Sequence, residues 1–156
     1  MKSLRPLVQP GSVTRQFNED ETASLLAAWL EAFGKERQGL GTKAFLWHIF
    51  SANKYPNVSG AEALVQYKQQ EESQFIVLSN DRKLAFATDS RPEECSLSDF
   101  YVFPENLAWT MAFTHEDGWL GPYFARHEAF NTLSEANLAK LKKLREIEAA
   151  KQKGWL

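Results

Sequence analysis

From Leu107 to Thr114 large and small residues alternate without a break: Leu107, Trp109, Met111 and Phe113 on one parity, Ala108, Thr110, Ala112 and Thr114 on the other. Successive side chains of a strand point to opposite faces, so the pattern predicts a strand with bulky groups on one side and small ones on the other. Period two also marks residues 75–78, 84–88 and 100–103. The first two of these flank Ser79, Asn80, Asp81 and Arg82, a polar cluster suited to the turn of a β-hairpin. Residues 88–98 are polar and include Pro92, which reads as a loop, and Pro104, Glu105 and Asn106 turn the chain before the alternating strand.

Upstream the period is helical. Asn18 and Glu21 make a capping box, and Leu25, Leu26, Trp29, Leu30 and Phe33 follow at helical spacing before Gly34 ends the run. A second helix is expected from near Thr42, with Phe45, Leu46, Ile49 and Phe50 on one side and Trp47 and His48 at its margin. A third starts at Ser59, where Ser59 and Glu62 form the S-x-x-E box, and fades by residues 71–73. The last starts near Thr132, boxed by Glu135, and carries Leu138, Leu141, Leu144 and Ile147 along one stripe as far as Gly154. Residues 1–15, broken by Pro6, Pro10 and Gly11, read as an irregular N-terminal arm, and 16–156 as a single domain.

Helices, then strands, then a helix give no βαβ rhythm. The predicted fold is α+β: an antiparallel sheet of four to five strands, three helices before it and one long helix after it, with the helices on one side of the sheet. At 156 residues such a chain buries roughly 70% of its unfolded surface, enough for one core. Aromatic residues make up 13%, so either that core is aromatic or some rings form a contact surface.

Cys95 is the only cysteine, which excludes an intrachain disulfide and a multi-cysteine zinc site and fits a reducing compartment. The first residues lack the apolar centre of an export signal, and no apolar run approaches the ~20 residues that span a bilayer, so the expected location is the cytoplasm. Of 18 basic and 20 acidic residues, six and three fall within 132–156; that segment is +3, and the remainder, with 12 and 17, is −5. An acidic body suits a basic protein partner and argues against nucleic acid. In the last helix Lys140, Lys142, Lys143 and Arg145 could touch phosphate, but interleaved Glu146 and Glu148 favour a solvated face. Nothing here sets an oligomeric state.

The stretch 109–124 gathers the chemistry. His115 is a candidate general base with Glu116 or Asp117 as its orienting acid; against this, Glu-Asp-Gly is what a tight turn between strands requires. His48 and His127 lie apart from it with no metal-ligand spacing, so no metal site is predicted. An isolated G-x-G at Gly39 and Gly41 is no phosphate loop, and no cofactor is expected. Glu93 and Glu94 beside Cys95 disfavour a reactive thiolate. Trp119, Tyr123 and Phe124 follow the turn and are candidate exposed binding rings. Thr110 and Thr114 either line a polar groove or let a helix pack closely on the sheet.

Asp99-Phe-Tyr-Val-Phe-Pro104, followed by Leu107-Ala-Trp-Thr-Met-Ala-Phe-Thr-His-Glu-Asp-Gly118 and Gly121-Pro-Tyr-Phe124, resembles the signature of a small uncharacterised bacterial family of unknown function. The resemblance covers most of the chain from about Trp29 and is sharp only over this stretch. It implies a bacterial origin and a stand-alone domain, and supplies no activity, cofactor or catalytic residue. The leading expectation is a non-enzymatic protein-binding module, of the type that neutralises a toxin. The alternative is an acid–base or hydrolytic enzyme built around His115 and Glu116, and the third is weak nucleic-acid binding through the last helix.

Overall fold

The computed structural model describes residues 8–36, 45–115 and 121–154. The elements are β1 (Val8–Gln9), β2 (Val13–Gln16), α1 (Glu19–Phe33), α2 (His48–Ser51), β3 (Val58–Ser59), α3 (Gly60–Lys68), β4 (Phe75–Ser79), β5 (Ala85–Thr88), β6 (Glu94–Cys95), β7 (Phe100–Phe103), β8 (Trp109–Phe113), β9 (Tyr123–Arg126) and α4 (Phe130–Gln152). Seven strands form one sheet in the order β2-β5-β4-β7-β8-β9-β3, and β1 pairs with β6 in a separate ribbon. Every pairing is antiparallel.

The α+β class and the long last helix are as the sequence implies, but the sheet is wider than four or five strands. Its centre is the predicted set. The hairpin β4–β5 turns through Ser79 and Asp81, whose carboxylate accepts from the Ser79 hydroxyl and the Lys83 backbone N–H. The additions come from segments too short to show a period. Part of the expected arm is a strand, because Val13–Gln16 pairs with β5 once Pro10 and Gly11 have turned the chain. At the other edge Val58 and Ser59 pair with β9.

The sheet is a middle layer, not a floor with helices on one side. One face carries Ile76, Leu78, Tyr101, Phe103, Ala112 and Tyr123 under α1 and the residues around α2. The other carries Phe75, Val77, Phe100, Val102, Trp109, Met111 and Phe124 under α3, with Phe130 and Leu133 of α4 against its margin. The alternation in β8 therefore separates two cores. Its large side faces α3, and its small side leaves room for α1, whose Trp29 lies within 5.2 Å of the Tyr101 ring and 5.8 Å of the Phe50 ring. The Trp29 indole N–H donates to the Thr110 hydroxyl at 2.9 Å, and that hydroxyl donates to the Val102 carbonyl at 3.2 Å. Thr110 is thus buried within this packing.

Helix ends show where local reading works. Asn18 and Glu21 close the capping box of α1 from both sides, at 2.8 and 3.0 Å. Gly34 ends α1 where an added Cβ would come 2.9 Å from the Leu30 side chain. Ser59 does precede α3, yet its side chain makes no cap bond; the Gly60 N–H instead donates to the Pro122 carbonyl. α4 starts at Phe130, ahead of the expected Thr132 and Glu135 box, which lies inside the helix. Of the second helix, the start near Thr42 lies outside the described residues, and Trp47, expected at its margin, is buried.

Thr110→Val should strand the Trp29 indole N–H in the core and cost about 1–3 kcal/mol, read as a lower midpoint of chemical unfolding. In a Trp29→Phe background, which has no such donor, the same change should cost clearly less; an equal cost in both backgrounds would refute the pairing.

Candidate functional site

Asp99 and His115 stand at the same end of the β7–β8 hairpin. The register sets Phe100 opposite Phe113 and Tyr101 opposite Ala112, so the residue before β7 and those just after β8 are neighbours despite their separation in sequence. His115 Nδ1 lies 2.8 and 3.0 Å from the two Asp99 carboxylate oxygens. The carboxylate is only 5% exposed, whereas the imidazole is 41% exposed. It also accepts from the Trp47 indole N–H at 2.7 Å. Facing a carboxylate, Nδ1 is the donor, and in the neutral ring this leaves the lone pair on Nε2.

A second layer of bonds fixes Trp47. Its backbone N–H donates to the Tyr101 hydroxyl at 3.0 Å, and Tyr101 donates to the Asn80 side-chain carbonyl at 2.6 Å. The same Asn80 oxygen accepts from the Leu46 N–H at 3.2 Å, and the Asn80 N–H donates to the Asp99 carbonyl at 3.2 Å. Burial pushes the Tyr101 phenol well above its ordinary range, so it stays a neutral donor. Phe45 lies on top, its ring centroid 5.1 Å from Trp47, 5.6 Å from His48 and 5.2 Å from His115. The result is a patch of Phe45, His48 and His115, partly open to solvent, on a buried polar frame.

His115 is thus the sequence-predicted candidate that meets a carboxylate, and the carboxylate is Asp99. Glu116, Asp117 and Trp119 lie outside the described residues. Tyr123 and Phe124, expected as exposed rings, are buried: Tyr123 stacks on Trp47 at 6.1 Å and Phe124 on Trp109 at 5.7 Å. The reason is that Gly121 and Pro122 lead directly into β9, inside the sheet. Thr114 is buried beside Gly121, where an added Cβ would come 3.0 Å from its methyl group and φ is +94°. The sequence places Asn80 in a turn, Trp47 at a helix margin and Asp99 and Tyr101 in the signature stretch, and assigns none of them to a site. The available signal was an aspartate directly before an apolar strand whose hairpin mate ends in a histidine.

The other histidines do not complete a metal site: His127 Nδ1 accepts from the Ala129 N–H at 2.9 Å at the far end of β8. Among the described residues no three His, Cys, Asp or Glu converge. Burial pushes the Cys95 thiol up, away from reactive thiolate character. None of the described helices is long and apolar enough to cross a membrane.

At the opposite end of the hairpin, α4 is anchored. Asn106 donates to the Leu133 carbonyl at 3.2 Å and exchanges side-chain bonds with Asn137 at 2.9 and 3.1 Å. Beside it is a cleft of about 330 Å³ lined by Glu72, Glu105, Asn106, Asn137 and Lys140, among others. Glu72 accepts from the buried Trp109 indole at 3.1 Å. Burial raises its carboxyl above the ordinary range, partly offset by hydrogen bonds from Trp109 and Asn137 and by the Lys140 charge.

Asp99→Ala should leave the Trp47 indole without its acceptor and cost about 2–3 kcal/mol in unfolding free energy, with loss of Trp47 order visible in near-UV circular dichroism. For Glu72 the folded state holds its proton more tightly than the unfolded one. Its effect on stability is therefore most favourable below the ordinary carboxylate pKa and is lost as pH rises through the raised value. Glu72→Gln should stabilise the protein at neutral pH and have less effect in acid. A variant less stable at neutral pH than at acid pH, relative to the parent, would contradict this.

No curated protein and no solved structure matches the chain. One family does, over residues 5–124, starting further upstream than the resemblance from Trp29 implied and stopping inside β9 before α4. Asp99, His115 and the residues that frame them fall within the match, and the chain belongs to the family described as Domain of unknown function (DUF4275).

Proposed function

We propose that this protein is a non-enzymatic protein-binding module, of the type that neutralises a basic protein such as a toxin, and that its partner docks on the Phe45, His48 and His115 patch. The observation that carries this reading is the single buried carboxylate of Asp99, which grips both an indole and an imidazole. Rings held this way offer contact area without losing side-chain entropy on docking, which is how aromatic hot spots gain affinity. The −5 charge of residues 1–131 favours encounter with a basic partner.

A second reading, acid–base catalysis, draws on the same contact, because a carboxylate on Nδ1 orients a histidine to take a proton at Nε2. Asp99→Asn separates the two. It keeps an acceptor for Trp47 and should leave binding within a few-fold, whereas a general base would lose about 10²–10⁴ in rate with the wrong tautomer. For the binding reading, a basic protein captured from lysate of the encoding cell should bind Phe45→Ala and His115→Ala about tenfold or more weakly. Capture of no specific basic partner, or equal affinity for both variants, would count against it.

A further inference from the structure

The distal half of α4 leaves the body. Residues 142–149 are all exposed, and Leu138, Leu144 and Ile147 show 48%, 44% and 36% of their surface to solvent. A free helix of about a dozen residues is marginal in water, because its propensity barely offsets nucleation. Packing against another surface is what normally holds such a helix. Near its start, α4 packs Phe130 and Leu133 against the core around Trp109. Beyond the body, residues 140, 141, 144, 147 and 148 follow one helix face and present Lys, Leu, Leu, Ile and Glu.

The charges on this face select the occupant. When two copies of α4 run antiparallel about a two-fold axis at Leu144, residues equidistant from Leu144 oppose each other. Leu144 meets the partner's Leu144, Leu141 meets the partner's Ile147, and Lys140 meets the partner's Glu148, the last two pairs occurring twice by symmetry. A parallel pair would instead set Lys140 against Lys140 and Lys151 against Lys151. The antiparallel register also brings Lys151 beside the partner's Asn137. That places Lys151 of each helix near the mouth of the cleft lined by Glu72, Glu105 and Lys140.

We propose that two copies of this chain pair antiparallel along the distal half of α4, with Lys151 of each helix near the cleft at the base of the other. The base of α4 and its cleft are at the opposite end of the β7–β8 hairpin from the His115 patch. The pairing stands or falls separately from the function proposed above.

Sedimentation equilibrium of the full chain across about 1–100 µM should show a dimer that weakens with salt. Leu144→Asp, at an exposed position, should abolish it without lowering the melting temperature of the body. Glu148→Lys should weaken it about tenfold or more, since Lys140 would then face a lysine. Lys140→Glu combined with Glu148→Lys should restore it, and mixing the two single variants should give a heterodimer, because each then complements the other. A monomer at every concentration would overturn the proposal. So would a dimer indifferent to Glu148→Lys, or a monomer that binds phosphatidylglycerol vesicles through the Leu144 face.

Discussion

A carboxylate removed from water must be met by donors or give up its charge. Asp99 is met by two, and much of one end of the molecule is arranged around that requirement. α2 is a single turn with no side-chain cap, too short to hold itself in place. It is held by what precedes it: the Trp47 indole on Asp99, the Trp47 N–H on Tyr101 and the Leu46 N–H on Asn80. With Trp47 fixed, Phe45, His48 and Tyr123 have a rigid ring to pack on. The position of the His115 imidazole follows from the same carboxylate.

Sequence reasoning succeeded where the information is local. The Asn18 and Glu21 box, the turn at 79–82 and the alternation from Trp109 to Phe113 each involve residues a few positions apart, and each is present as read. Leu107 and Ala108, read as part of the same alternation, precede the strand, and Leu107 packs in the core opposite to that of Trp109. It fell short where the partner is distant. β2 and β3 are two to four residues long and exist because β5 and β9 offer them an edge. The burial of both sheet faces was hidden for another reason: alternation of large and small looks like inside against outside, yet Thr110 and Ala112 are as buried as Trp109 and Met111. His115 was legible as an unusual residue at a strand end. Its contact with Asp99 was not, because Asp99 becomes its neighbour only through hairpin register.

The hairpin β7–β8 gives the two regions a common backbone. At one end it closes on Asp99 and His115; at the other, its turn presents Asn106 to α4. Trp109 links the far end to the α3 side by donating to Glu72, and Thr110 next to it links to α1 through Trp29. Two consecutive residues of one strand thus tie the sheet to elements on opposite faces. Substitutions in this strand are expected to disturb both layers together.

The order of the seven strands also bears on how the molecule avoids unwanted association. Its two outer strands are β2 and β3, and an outer strand with long, flat, apolar backbone invites another chain to add on. β3 offers only two residues before the chain enters α3. β2 breaks register between Val13 and Arg15 and exposes Thr14, Arg15 and Gln16. A kinked edge carrying a charged side chain, paired with one too short to extend, leaves little template for fibril growth, so the interior strands β4, β7 and β8 can be strongly apolar without making the sheet adhesive.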